Sequence, residues 1–457
     1  MHIIVRTLGG SIGMQHLHEE IKKESRTLLA IGSPIIATQL LRMGLNFTDT
    51  VMAGNLSALD LAAVAIGNSI YVPIGIFCMA TLIAINPVVS QFLGARKFDE
   101  IGKSARQMFW LVLMLAIPTF FLIRNLDIVM RLVGVTPEII PIADGYLKAI
   151  SWGMLPLLAY AGVRYFSEGL SVTKPAMYIA AASLVLNVGA NYVLMYGKLG
   201  FPALGAVGTG YATTFINFFG AVVFIGFTAS FEPFKRFNIF ARTKGPEWEY
   251  IGELIRVGIP NGISSAMEVL LFAAVSLLMG TLSVKAAAAH QIAINVAATM
   301  FMVPFGLSIG ISQRVGFSIG QGSMENARFR GYVGIVMCAG VMTLTAILLF
   351  LVPDFIISIY TDDPEVATTA VSLIFMAAIF QISDGLQVGA FGALRGLKDT
   401  RLPMIVNFIS YWLVGFTTGY GLGIHLGYGP EGLWIGLICG LTVAAVLHNI
   451  RFHRLTK

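Results

Sequence analysis

The stretch "LLAIGSPIIATQLLRMGLNFTDTVMA", residues 28–53, is the first strongly apolar segment of the chain and carries a carboxylate near its end, at Asp49. A membrane-spanning helix needs about 20 predominantly apolar residues, so this segment is long enough to cross a bilayer. A charged side chain inside the hydrocarbon costs roughly 2.5 to 3.5 kcal/mol on insertion scales and usually marks function. The segment therefore predicts a transmembrane helix that retains an acidic residue for a functional reason.

Composition extends this prediction to the whole chain. Of its 457 residues, 56% are hydrophobic and only 12% are charged, which is typical of a multi-pass membrane protein rather than a soluble enzyme. The net charge of +6 is spread over many short segments, so we expect no nucleic-acid partner. Cys78, Cys338 and Cys439 fall in three different apolar segments without metal-ligand spacing, which argues against a disulfide framework or a zinc site.

Apolar segments of spanning length recur along the sequence. Residues 1–27 are polar and lack the apolar core and cleavage site of a signal peptide, whether the chain starts at Met1 or Met14. Most Lys and Arg residues lie in this segment, in loops after even-numbered spans and in the tail, which predicts that both termini are cytoplasmic. Twelve spans are predicted, at 28–53, 62–90, 107–124, 140–160, 175–196, 207–229, 251–280, 286–307, 331–352, 367–391, 402–422 and 431–450.

The second half of the sequence repeats the first. At an offset of 226, Pro34 matches Pro260, and at an offset of 227, "GLSVTKPAM" from residue 169 matches "GLKDTRLPM" from residue 396. A nearly constant offset indicates duplication, with six spans in each copy. We therefore predict an all-α integral membrane protein whose twelve transmembrane helices form two six-helix lobes, related by pseudo-two-fold symmetry along the membrane normal as in secondary transporters. The predicted segments are a cytoplasmic N-terminal segment at 1–27, an N-lobe at 28–229, a cytoplasmic linker at 230–250, a C-lobe at 251–450 and a cytoplasmic tail at 451–457.

Three acidic side chains are predicted to lie within the membrane: Asp49 in span 1, Glu268 in span 7 and Asp384 in span 10. Structural ion pairs or hydrogen-bonded helix contacts are the alternative explanation. However, the three acids do not occupy equivalent positions of the repeat, and basic residues are too few to pair them all. Two carboxylates that face one cavity bind Na⁺, or share protons because neighbouring like charges resist simultaneous ionisation. We expect Glu268 and Asp384 to couple transport to an ion and to be candidate Na⁺ ligands.

Amides and hydroxyls in the surrounding spans suggest a hydrated cavity, although each one alone is more simply explained by helix packing. Methionines and phenylalanines that line such a cavity suit a promiscuous site for apolar cations, since Met repacks readily and aromatic faces attract cations. The sequence carries no metalloprotease, phosphate-loop or nucleophile-elbow motif, so we do not predict an enzyme. The candidate polar residues are Gln39, Asn187, Asn191, Gln291, Asn295, Gln381, Ser383 and Gln387.

Six motifs of the sequence together resemble one family. They are "FTDTVMAGNLSALDLAAVAIGNSIYVP" from Phe47, "EGLSVTKPAM" from Glu168, "EVLLFAAVSLL" from Glu268, "AAHQIAIN" from Ala288, "RVGFSIGQGS" from Arg314 and "QISDGLQVGAFGALRGLKDTR" from Gln381. The chain resembles the multidrug and toxic compound extrusion transporters, specifically the NorM-type bacterial branch, over residues 28–450. The resemblance implies two six-helix lobes in a V shape and export of cationic drugs in exchange for Na⁺ or H⁺.

The same resemblance assigns roles to the three acids. Asp49 matches the N-lobe acid of the family, and Glu268 and Asp384 match the C-lobe acids associated with cation coupling. Some relatives have a tyrosine where this sequence has Phe380, and the missing hydroxyl weakens the case for Na⁺ over H⁺. We therefore expect a cation-coupled exporter of the bacterial inner membrane that acts as a monomer on cationic drugs and uses no cofactor.

Two other functions fit a protein of this kind. A lipid-linked oligosaccharide flippase of similar fold is the nearest alternative, but its anionic substrate favours several basic cavity residues. The predicted core has three acids and one clear arginine, Arg42. A passive cation-selective channel is the second alternative, and the acids would then be selectivity elements.

Arg42 lies seven residues before Asp49, and therefore on the same face of the predicted helix, about two turns away. A direct salt bridge is only marginally within reach at that separation. Snorkelling, or pairing with a partner on a packed helix, is the alternative role for this arginine. We hypothesise that the charge of Arg42 keeps Asp49 ionised, so that Asp49 is a fixed attractor for drug cations.

Overall fold

The computed structural model describes residues 14–132, 134–241 and 245–457, and over these ranges the chain is built of helices. Eleven of these helices are long and apolar enough to cross a membrane. The predicted fourth span is a pair of shorter helices, α4a (Ile140–Ser151) and α4b (Met154–Gly169). The others are α1 (Met14–Gly54), α2 (Ala58–Gly94, with a turn after Leu82), α3 (Phe98–Arg124), α5 (Lys174–Tyr196), α6 (Ala206–Ser230), α7 (Trp248–Leu282), α8 (Val284–Gly320), α9 (Met324–Leu351), α10 (Pro364–Gly396), α11 (Arg401–His425) and α12 (Gly429–Leu455).

Several helices extend beyond the predicted spans. The first helix begins at Met14 instead of residue 28, and α8 runs to Gly320 instead of residue 307. Hydropathy detects only the apolar part of a helix, whereas backbone hydrogen bonding continues into polar sequence. The parts of the predicted N-terminal segment and linker at 1–13 and 242–244 lie outside the described residues.

The chain packs as two compact units. The N-unit comprises Ala37–Gly262, and the C-unit comprises Ile263–Lys457 with the described part of residues 1–36. These units differ from the predicted lobes because the first part of α1 belongs to the C-unit and the first part of α7 belongs to the N-unit. Each division falls just after a proline inside the helix, Pro34 in α1 and Pro260 in α7. Proline removes a helical hydrogen bond and bends the helix, which allows its two parts to pack in different units.

The repeat is visible in how these first parts pack. In the N-unit, Gly258 of α7 lies so close to α2 that a Cβ there would collide with the carbonyl oxygen of Thr81. In the C-unit, a Cβ at Gly32 of α1 would lie 2.8 Å from Cδ2 of Leu307 in α8. Gly32 and Gly258 are related by the offset of 226, and so are their neighbours Thr81 and Leu307. Small residues let membrane helices approach closely, so both copies of the repeat use the same helix pair.

An ion pair ties the start of α1 to the rest of the C-unit. Nε and Nη2 of Arg314 donate to the two carboxylate oxygens of Glu24 at 2.6 and 2.5 Å, and Nε of Arg330 lies 3.5 Å from the same carboxylate. Glu24 is 7% exposed, so this bidentate contact is largely shielded from water.

Tyr411 is a buried tyrosine in the part of α11 that packs against α12. Residues Ile409–Phe416 and Gly421–His425 of α11 form wide π-type turns. A Cβ on Gly415 would lie 3.2 Å from the carbonyl oxygen of Gly436, so the two helices are in near backbone contact. Tyr411 lies in the first wide turn and is completely buried.

Candidate functional site

Asp49 is held by neutral hydrogen-bond donors inside the N-unit. It is 5% exposed, and Oδ1 accepts a hydrogen bond from Nδ2 of Asn191 at 2.6 Å. Oδ2 accepts from Oγ1 of Thr213 at 3.1 Å, and the Asn191 amide also donates to Oδ1 of Asn187 at 3.2 Å. Both asparagines were predicted from the sequence to line a cavity, and in the structure they lie beside Asp49. Thr213 had no distinguishing signal, because threonines are common in membrane helices.

The donors to Asp49 carry no charge. In the described ranges Asp49 forms no salt bridge, and its contacts are with the amide of Asn191 and the hydroxyl of Thr213. Neutral dipoles stabilise a carboxylate without cancelling its charge. An ionised Asp49 would therefore keep its full negative charge, because none of these contacts brings a positive charge to it.

Arg42 has different neighbours. Its guanidinium carbon lies 5.4 Å from the centroid of the Tyr160 ring, and within the described part of the chain it forms no ion pair with Asp49. Gln39, one turn earlier, accepts a hydrogen bond from Nη1 of Arg164 at 2.9 Å. The predicted influence of Arg42 on the charge of Asp49 stays a prediction.

Two carboxylates come together in the C-unit. Asp384 of α10 is 2% exposed, and across the described residues its Oδ1 has no hydrogen-bond partner. Glu268 of α7 is partly exposed and lies near enough for the two side chains to interact electrostatically. A buried carboxylate without donors is costly unless a cation or a proton neutralises it. The pair can therefore take up positive charge.

Tyr411 belongs to the same region and was missed from the sequence. It interacts electrostatically with both Glu268 and Asp384, and its hydroxyl accepts a hydrogen bond from Nε2 of Gln387 at 2.8 Å. The wide turn that carries Tyr411 is a type of helix distortion that is frequent at functional sites. The sequence offered no signal, because hydropathy does not reveal a π-type turn.

Phe380, where the sequence departs from the family pattern, packs among aromatic rings of the C-unit. Phe380 is 3% exposed, and its ring centroid lies 6.1 Å from that of Phe272 and 5.9 Å from that of Trp434. Phe380 has no hydroxyl, whereas the phenol of Tyr411 in α11 interacts electrostatically with both carboxylates.

The other predicted cavity residues form polar pairs instead of surrounding a carboxylate. Such pairs match the helix-packing explanation that the sequence left open. The hydroxyl of Thr345 donates to Gln381, Ser383 and Thr442 hydroxyls are 2.8 Å apart, and Nε2 of Gln291 donates to Oδ1 of Asn295 at 3.3 Å.

Comparison with a family model confirms the duplication. The MatE model matches the chain twice, at residues 34–193 and 260–420. The two matches start 226 positions apart and end 227 apart, which are the offsets of the internal repeat.

Relatives and solved structures resemble the chain over nearly its full length. The multidrug resistance protein MdtK of Yersinia enterocolitica is 38% identical over 439 residues, covering 95% of this chain and 96% of that protein. MdtK of Yersinia pestis is 37% identical over the same shares. The crystal structure of the eukaryotic MATE transporter AtDTX14 superposes with a TM-score of 0.87 at 21% identity, over 95% of this chain and 98% of that one. An outward-facing multidrug resistance MATE family transporter of the MOP superfamily gives 0.85 at 17% identity, over 94% and 96%. The chain shares their fold.

Proposed function

The chain belongs to the MatE family, and on this premise we propose that it is a secondary active multidrug efflux transporter of the bacterial inner membrane. It exchanges cationic or amphipathic drugs for Na⁺ or H⁺. It works as a monomer, with both termini in the cytoplasm and no cofactor.

The observation that carries this proposal is the pair of carboxylates in the C-unit. Asp384 is buried with an unpartnered oxygen, and Glu268 adds a second negative charge to the same region. An arrangement of this kind is stable only when it holds positive charge, so it binds and releases a cation in each cycle. We infer that the phenol of Tyr411, which interacts electrostatically with both carboxylates, responds to that change of charge.

Coupling follows from two states that bind different ligands. In the outward-open state, Glu268 and Asp384 take up Na⁺ or H⁺, which favours the conformation that has released the drug. Loss of the cation on the inside restores the drug-binding form. Each monovalent cation that enters down a potential of about 100 mV contributes roughly 2.3 kcal/mol, enough to sustain a substantial drug gradient.

Asp49 has a separate role in the N-unit. Its carboxylate accepts hydrogen bonds from neutral donors, so in its ionised form it attracts the positive group of a drug. Asn187 and Asn191 fix its position, and Thr213 completes the set of contacts.

Substitution of the coupling pair tests the proposal. Glu268→Gln and Asp384→Asn should each abolish energy-dependent efflux of a fluorescent cation from cells, at normal expression. Glu325→Gln is the matched control, because Glu325 is an exposed acid in the first turn of α9 of the same unit. Wild-type efflux by both coupling variants would show that the assignment is wrong.

Vesicle experiments separate the coupling ion from the alternatives. Drug movement should be measured with Na⁺ and pH gradients imposed one at a time. Coupled exchange predicts that one gradient drives drug movement, whereas a passive channel predicts ion conductance without drug. A flippase would move lipid-linked sugar and leave the drug in place.

A further inference from the structure

A small, partly open pocket lies in the N-unit, between α1, α4b, α5 and α6. Its polar side chains are all able to donate hydrogen bonds, and no acidic residue lines it. The lining residues are Arg42, Leu45, Tyr160, Ala180, Ser183, Ile216, Asn217 and Gly220. The lining therefore combines one positive charge and neutral donors with apolar side chains.

Arg42 is the charge in this pocket. The charged and titratable groups that it interacts with are Arg164 and tyrosines, and none of them is a carboxylate. Arg164 has partners of its own, since Nη1 donates to Gln39 at 2.9 Å and Nε lies 3.7 Å from the Glu168 carboxylate. The positive charge of Arg42 therefore lacks a counter-ion in the part of the chain that the structure describes. The Tyr160 ring beside it only partly compensates a guanidinium that is half-buried.

Tyr160 provides a second, independent sign of a ligand. It is 5% exposed and lines the pocket, and its hydroxyl has no hydrogen-bond partner among the described residues. Arginine cannot accept a hydrogen bond, so neither Arg42 nor Arg164 satisfies the Tyr160 O–H. Arg42 lies close enough to donate to the Tyr160 oxygen, but the O–H itself is left to donate to an acceptor on a ligand.

We propose that this pocket binds the oxyanion of an amphiphilic molecule, a carboxylate or a phosphate group. The Arg42 guanidinium pairs with the anion, and the hydroxyls of Tyr160 and Ser183 donate to it. Leu45 and Ile216 contact the apolar body of the ligand. Guanidinium and hydroxyl donors together are the usual recognition set for such groups. The site is distinct from the acidic positions that attract cations.

The test measures binding to purified protein in phosphatidylcholine nanodiscs, with dansylglycine as the carboxylate and its uncharged methyl ester as the control ligand. Arg42→Gln should weaken dansylglycine binding about tenfold or more and leave the ester unchanged, since a hydrogen bond to a charged group is worth about that factor. Arg42→Lys should recover part of the loss. Arg26→Gln, which removes an exposed charge from the same helix, should bind both ligands like the wild type. Binding needs no ion gradient, so the outcome does not depend on the proposed transport cycle.

A second arm identifies the source of the oxyanion. Partial replacement of phosphatidylcholine by phosphatidylglycerol should reduce dansylglycine affinity if a lipid phosphate occupies the site, and should leave it unchanged if the ligand is soluble. Equal binding of acid and ester by the wild type, or wild-type acid binding by Arg42→Gln, would overturn the proposal. If Arg42→Gln does not fold, the acid and ester affinities of Tyr160→Phe and Arg42→Lys test the proposal instead. The proposal requires each of them to lose acid affinity severalfold while ester affinity is retained.

Discussion

Removal of the Asn191 amide gives the sharpest test of the Asp49 site. Asn191→Ala deletes the shortest contact to the carboxylate, the 2.6 Å bond to Oδ1, whereas Thr213→Val deletes only the longer 3.1 Å bond to Oδ2. Asp49 is 5% exposed, so water does not replace a lost donor easily. We expect Asn191→Ala to be the more damaging substitution.

The size of the effect follows from the type of bond. Hydrogen bonds between neutral side chains in membrane proteins average about 0.6 kcal/mol and reach about 1.7 kcal/mol. Bonds to an ionised acceptor are roughly twice as strong as neutral ones. We therefore expect Asn191→Ala to lower the free energy of unfolding by about 2 kcal/mol, and Thr213→Val by about 1 kcal/mol. In an Asp49→Asn background the Asn191→Ala penalty should fall by about half, because the acceptor is then neutral.

Equilibrium unfolding in mixed micelles, with an increasing fraction of sodium dodecyl sulfate, measures these free energies. Thr48→Val is the matched control on the same helix, since the Thr48 hydroxyl bonds only to the backbone of its own helix, at Gly44. This control should cost less than about 0.5 kcal/mol. Equal destabilisation by Thr48→Val and Asn191→Ala, or an Asn191→Ala penalty that Asp49→Asn leaves unchanged, would contradict a charged hydrogen bond at Asp49.

Four further substitutions test the packing and the proposed coupling site. Gly258→Ala should destabilise the protein more than its repeat counterpart Gly32→Ala, because the new methyl group meets a backbone carbonyl in one case and a flexible leucine tip in the other; equal unfolding midpoints would contradict this. Tyr411→Phe should slow ion-driven drug export severalfold in vesicles while leaving the unfolding midpoint near that of the wild type, and unchanged export would remove the phenol from the coupling site. Glu24→Gln should lower the free energy of unfolding by about 1–3 kcal/mol by weakening the bidentate contact with Arg314, and no loss in the same unfolding assay would show that the contact is not stabilising.

Much of the fold is predictable because hydropathy and duplication are properties of the sequence itself. The twelve predicted spans correspond to eleven long helices and one broken pair, and the repeat offset appears again in the pairing of Gly32 and Gly258 with their neighbours. The break between α4a and α4b was not predicted, since the segment around Trp152 and Gly153 is as apolar as its surroundings. Helix ends were also missed, because polar residues extend helices without raising hydropathy.

The candidate site was only partly predictable. An acid in an apolar span is conspicuous, so Asp49, Glu268 and Asp384 were identified from the sequence. Which amide donates a hydrogen bond to which acid depends on how the helices are rotated against one another. A sequence pattern does not fix that rotation. Asn191 therefore reaches Asp49, while Ser383, only one residue from Asp384, pairs with a hydroxyl of α12.

The prolines near the middle of α1 and α7 have a consequence for biosynthesis. The N-unit includes residues up to Gly262, so it is incomplete until the ribosome has passed the linker and made the first part of α7. The start of α1, although synthesised first, joins a unit whose remaining helices are synthesised last. Glu24 in this first part of α1 pairs with Arg314, which is nearly 300 residues downstream. The ion pair therefore forms only after most of the chain has been translated. A polypeptide cut in the linker would yield two fragments that each lack a segment of their own unit, so each fragment would need the other to complete its packing.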